Sequence, residues 1–161
     1  GFMAFASGNS VNDLVVQSDG KILGATTTQG FGGRDFCIFR TNANGGFDAS
    51  FGYNGNGMST RDNADDWLYS LALQPDGKIL AVGYSFMSTN NDYKGAFLRL
   101  LPNGEIDYTF GSSGMVLDSY HGINSGADIA LQPDNKILVA GWMGNHSEAD
   151  ANFLVGEDKD H

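Results

Sequence analysis

Cysteine occurs once in the 161 residues, at Cys37, so the chain forms no internal disulfide and offers no paired thiols to a zinc ion. Between Phe36 and Ile38 that thiol reads as a small buried hydrophobe rather than a reactive group. Basic residues are also scarce, nine against nineteen acidic ones, for a formal charge of −10 and a pI near 4.4. Such a surface repels phosphate backbones and anionic lipid, so no nucleic acid is expected as a partner. No run of 18 apolar residues is present, so no spanning helix and no membrane insertion are expected. No stretch carries an apolar stripe at helical spacing, and helix content should be near zero. Signatures of chemistry are missing too: there is no G-x-S-x-G, P-loop, dinucleotide fingerprint or H-E-x-x-H. The acidic residues are many, yet none is marked as a buried catalytic pair, so the expectation is a protein that is not an enzyme. No signal peptide is visible and the chain does not begin with Met, which reads as a processed mature protein or an excised segment.

What is abundant is glycine, at 23 residues, mostly beside Asn or Asp, with 41 % apolar and 12 % aromatic residues. That is turn chemistry joined to enough apolar mass for a core, and many turns imply many short strands. The turns recur. "VQSDGKIL" at Val16–Leu23 returns as "LQPDGKIL" at Leu73–Leu80 and "LQPDNKIL" at Leu131–Leu138. Gln17, Gln74 and Gln132 stand 57 and 58 residues apart, and "DASFG" at Asp48 recurs as "DYTFG" at Asp107, 59 further on. Arg40 and Arg99 share that 59-residue spacing. Three marks at one period make an internal repeat.

Each unit reads as a four-stranded meander. Two strands flank the Asp-Gly turn, where Pro75 presets φ and Gly77 takes the left-handed position. In the third copy Asn135 replaces that glycine, and Asn tolerates φ > 0 best after Gly. A third strand, "DFCIFR" or "GAFLRL", runs into the hairpin signals Asn44-Gly45 and Asn103-Gly104. A fourth short strand follows near Met58 and Met115. The fold class is therefore all-β, with about three propeller blades of 57–59 residues, alone or within a larger or oligomeric propeller. The divisions are 10–62, 63–119 and an incomplete 120–161, with 1–9 as an orphan fourth strand. Three blades leave a wedge open, so self-association or other protein chains are the expected partners. The apolar residues Phe2, Met3 and Phe5 would then serve as an assembly strand.

The ordered elements DGK, R-x(3)-NG and D-x-[ST]-FG resemble the delta-60 repeat, whose tandem units are expected to build propellers in large secreted or surface-exposed bacterial proteins. The likeness covers essentially the whole chain; Ser18, Asn135 and Gly156 depart from it. It implies a propeller fold and a secreted or cell-surface location, and no activity.

Several residues remain as candidates. Arg40 with Asp48, and Arg99 with Asp107, read as ion pairs bracing one hairpin. Lys21, Lys78 and Lys136 read as solvated strand-edge lysines. Tyr84 and Trp142, placed by the repeat at the mouth of the loop after the second strand, are with Trp67 the candidates for stacking on a glycan. Asp62, Asp65 and Asp66 are the weak calcium candidates, without the EF-hand order, and no cofactor is expected. His121, His146 and His161 lack paired ligand spacing. The sequon at Asn145 suggests little in a bacterial-looking chain. Function reads as an extracellular structural or interaction module, the alternative as a lectin-like propeller, and a hydrolase ranks third.

Overall fold

The computed structural model describes residues 10–30, 33–61, 65–88, 91–118, 123–143 and 150–156, with the backbone course alone at 123, 143 and 150–156. Strands β1 (Val11–Val16), β2 (Ile22–Gln29), β3 (Arg34–Thr41) and β4 (Met58–Arg61) form one antiparallel sheet in chain order. A second sheet repeats the plan with β5 (Asp65–Leu73), β6 (Ile79–Met87), β7 (Asp92–Leu100) and β8 (Met115–Leu117). In the third, β9 (Ile123–Leu131) and β11 (Asp150–Gly156) flank β10 (Ile137–Met143). No helix occurs among the described residues. The all-β, propeller-blade reading of the sequence therefore holds.

The recurrent turn explains the first hairpin of each sheet. The N–H of Gly20, Gly77 and Asn135 donates to the carbonyl of Gln17, Gln74 and Gln132, in each case at 2.9 Å. Closing that loop puts the donor residue at φ 81°, 84° and 66°, which only Gly or Asn adopts cheaply. Asp19, Asp76 and Asp134 then accept the N–H of the following lysine at 3.1, 3.0 and 3.3 Å. The Asn-Gly turns close the same way, Gly45 to Asn42 and Gly104 to Leu101. They do not open a full hairpin, however. Each is followed by a single bridge, Thr41 to Phe47 or Leu100 to Ile106, before the chain swings round to return as β4 or β8. That detour carries the D-x-[ST]-FG segment.

Alternation along β6 shows how sheet packs on sheet. Ile79 and Ala81 join Leu23, Ala25, Phe36, Ile38 and Phe51 of the first sheet in one apolar core. Leu80 and Val82 point the other way and join Ile129, Ile137 and Val139 of the third. A strand buried on both faces needs a continuous apolar run, which is why Ile79–Val82 shows no polar alternation. Burying each such side chain stabilises by about 1.5–3 kcal/mol.

Candidate functional site

The detour after β3 builds the most elaborate polar site among the described residues. Asp48 Oδ2 accepts from Arg40 Nε at 2.8 Å and Lys21 Nζ at 3.0 Å. Its Oδ1 accepts from the N–H and the hydroxyl of Ser50 at 2.9 and 2.7 Å. One repeat later Asp107 takes Arg99 Nε at 2.9 Å, Lys78 Nζ at 3.3 Å, and the N–H and hydroxyl of Thr109 at 3.1 and 2.6 Å. All four members of the two Arg–Asp pairs are buried. Hydrogen bonds from Ser50, then from Lys21 and the Arg40 charge, hold the Asp48 carboxyl well below its usual range against the opposing pull of desolvation. At Asp107 burial pushes upward, but Thr109, Lys78 and Arg99 outweigh it and bring the group down to about 2. A carboxylate already serving four donors is equipped to hold structure.

The expectation that Lys21 and Lys78 are solvated is corrected by this geometry. The left-handed turn residue delivers each lysine beside the buried carboxylate, so the recurring lysine of the turn completes an Arg–Asp–Lys cluster. In the third copy the register corrects the expectation that Gly156 stands in the arginine's place: Arg40 and Arg99 pair with Leu23 and Leu80, and the equivalent Leu138 pairs with Val155. No arginine is supplied there, and Lys136 lies 3.5 Å from Asp134 with its side chain more exposed.

The cluster also reaches the next sheet. Arg40 Nη1 donates to the carbonyl of Pro102 at 2.7 Å, and Gly52 N–H donates to that of Asn103 at 2.9 Å. Phe51 sits beneath Arg40, whose Cζ is 4.6 Å from the ring centre, and against Gly104. A Cβ at Gly104 would meet the Phe51 ring at 2.7 Å, so the Asn-Gly turn of one sheet is the socket for the Phe-Gly of the sheet before.

A second feature escaped the sequence reading. Each first strand carries an irregularity at the same repeat position, with Asn12, Tyr69 and Ala127 skipped in the pairing. Bulges re-aim the residue that follows. Here those residues are Asp13, Ser70 and Asp128, one per sheet, and they meet. Ser70 Oγ lies 2.9 Å from Asp13 Oδ2 and 2.8 Å from Asp128 Oδ1. One hydroxyl proton serves one carboxylate at a time, and backbone donors fix the acids meanwhile. Leu71 N–H, from the second sheet, donates to Asp13 at 2.7 Å, and Ile129 N–H donates to Asp128 at 2.9 Å. The result is a polar seam across the first strands of all three sheets.

The aromatic candidates do not lie in loops. Tyr84 is a buried residue of β6, because the strand runs on past Gly83, where a Cβ would come 1.8 Å from the Trp67 carbonyl. Tyr84 packs against Trp67, Tyr69 and Tyr93 with ring centres 5.9, 5.9 and 5.5 Å away. Burial, followed by the neighbouring Tyr69 and Tyr93, pushes its phenol up. Trp67 is covered by Arg34, with Cζ 4.0 Å over the ring, while Arg34 N–H donates to Asp65 at 2.9 Å. Trp142 also belongs to a strand, β10, and is exposed.

Asp65 and Asp66 are successive residues of β5, so they leave the strand on opposite faces, and Asp66 is fully buried. Asp62, Phe2, Met3, Phe5, His121, His146, His161 and the sequon at Asn145 lie outside the described residues. Among the described residues no group of three metal-ligating side chains converges. Cys37 is buried, and burial followed by the Asp35 charge pushes its thiol up to about 12. A family model described as "Domain of unknown function (DUF5122) beta-propeller" matches residues 17–51, 74–110 and 132–155, more than half of the chain. No curated protein matches it.

Proposed function

The chain belongs to the DUF5122 β-propeller family, and on that premise we propose that it is a non-catalytic protein-contact module of delta-60 type, working outside the cell or on its surface. The observation that carries this reading is how the repeat uses its charged residues. Arg40, Asp48, Lys21 and their counterparts Arg99, Asp107 and Lys78 are absorbed in bracing the D-x-[ST]-FG corner, and Arg40 ties that corner to the next sheet. Asp13, Ser70 and Asp128 join the first strands. What the repeat leaves uncommitted is apolar surface, which is the raw material of protein contact.

Radical footprinting tests the proposal. Leu14, Val16 and Phe47 should be oxidised more slowly in the protein on intact cells than in the dilute purified chain. Equal oxidation would refute a contact role, and failure of a membrane-impermeant amine label to reach intact cells would refute the location. The glycan alternative rests on Trp142 alone now that Arg34 covers Trp67 and Tyr84 is buried. A change in tryptophan fluorescence on glycan titration, absent in Trp142→Ala, would favour it.

A further inference from the structure

The internal repeat states what each sheet face should touch, because every position has counterparts whose surroundings are known. On the first sheet Val11, Leu14, Val16 and Phe47 are exposed, at 40, 58, 70 and 43 %. Their counterparts in the second sheet are Leu68, Leu71, Leu73 and Ile106. Leu68 and Leu71 belong to the core shared with the first sheet, and Leu73 and Ile106 pack against it. The same residue positions are therefore interior in one sheet and bare in the other. Phe39, itself buried over Gly24 with its ring edge-on to Phe47 at 6.3 Å, supports that face from beneath.

The complementary surface is identified the same way. Leu23 and Ala25 of the first sheet face the second, and their counterparts Leu80 and Val82 of the second face the third. In the third sheet these positions are Leu138 and Ala140. Ile137 and Val139 point into the core with the second sheet, so Leu138, Ala140 and Trp142 point away from it. Leu138 and Ala140 are only half-buried and Trp142 is 43 % exposed, whereas Leu80, Val82 and Tyr84 are buried.

We propose that the face of the first sheet bearing Val11, Leu14, Val16 and Phe47 docks on the face of the third sheet bearing Leu138, Ala140 and Trp142 in a second copy of the chain. This rests on the protein-contact reading and names the partner. The contact continues the sheet-on-sheet interface that already joins the first sheet to the second and the second to the third. Its two surfaces differ, so it is head to tail; two copies joined at both ends make a six-sheet ring, and otherwise the contact propagates. With a formal charge of −10 on each copy, added salt should strengthen association by screening repulsion.

Sedimentation of the full chain tests it with two blocked variants. Leu14→Glu disables the first face and Trp142→Glu the third, and both sites are exposed enough for folding to survive; Val16→Glu is the second choice for the first face. Each variant alone should associate more than about tenfold more weakly than the parent chain. Mixed in equal amounts, the two should form a 1:1 heterodimer through the one intact pair of faces. A parent chain monomeric at every concentration overturns the proposal while leaving a contact role intact if footprinting on cells still shows protection. Association lost in Leu14→Glu but kept in Trp142→Glu overturns it in favour of a face that meets its own copy. A mixture without heterodimer overturns it as well.

Discussion

Replacing Asp107 by Asn tests the buried corner most severely, since it keeps the shape and removes the charge. The guanidinium of Arg99 and the ammonium of Lys78 stay beside the site, at 2.9 and 3.3 Å, with a neutral amide in place of the carboxylate. Arg99 is buried, and removing one partner of a buried ion pair costs about 3–5 kcal/mol. The native carboxyl is held at about 2, against an ordinary value of 3.8. A depressed acid stabilises the fold above its unfolded pKa, and that stability is lost as pH falls through the native value. The linkage amounts to about 2 kcal/mol, fully present near neutrality and gone below about pH 2. Urea titrations of the parent and Asp107→Asn should therefore differ by about 3 kcal/mol or more at neutral pH, and the gap should narrow by about 2 kcal/mol between about pH 4 and pH 2. An Arg99→Met and Asp107→Asn double-mutant cycle should return a coupling of about 2 kcal/mol or more. Asp65→Asn, which breaks the half-exposed pair with Arg34 at 3.8 Å, should cost less than about 1 kcal/mol. A loss below about 1 kcal/mol for Asp107→Asn, unchanged with pH, would refute the reasoning.

Ser70→Ala, tested by the same titration, should cost about 1–2 kcal/mol, because two carboxylates lose their shared donor at the seam. Gly77→Val should cost about 1 kcal/mol or more by forcing a β-branched residue to φ 84°, and calorimetry should show a lower midpoint. Gly52→Ala should cost more than that, since a Cβ there meets the Met58 carbonyl at 1.8 Å. Cys37 should react with a thiol reagent at the unfolding rate, and rapid labelling of the native chain would contradict its burial.

Much of this architecture is legible in the letters because the repeat writes local chemistry. Asp-Gly and Asn-Gly specify turns through φ alone, and Asn135 at φ 66° keeps the turn without glycine. The Arg and Asp that lie eight residues apart are legible because one hairpin brings them together. The missing parts depend on neighbours distant in sequence. Lys21 looks like any surface lysine until Asp48, 27 positions away, is folded beside it. Tyr84 looks like a loop residue because Gly83 reads as a stop. Only the approach of the Trp67 backbone shows that glycine is there to admit a neighbouring strand. The bulges leave no mark of composition at all: Asn12, Tyr69 and Ala127 share nothing but their place in the period. Aligning the copies on Gln17, Gln74 and Gln132 would have set Asp13, Ser70 and Asp128 in one column.

The claim that the repeat motifs join successive sheets rests most heavily on Phe51 in the socket of Gly104. Nuclear magnetic resonance reads that contact directly. The Gly104 Hα protons should show cross-relaxation with the Phe51 ring and a ring-current shift that disappears in Phe51→Leu. A Gly104 with ordinary shifts and no cross-relaxation to Phe51, in a chain whose hairpins are otherwise formed, would contradict the account.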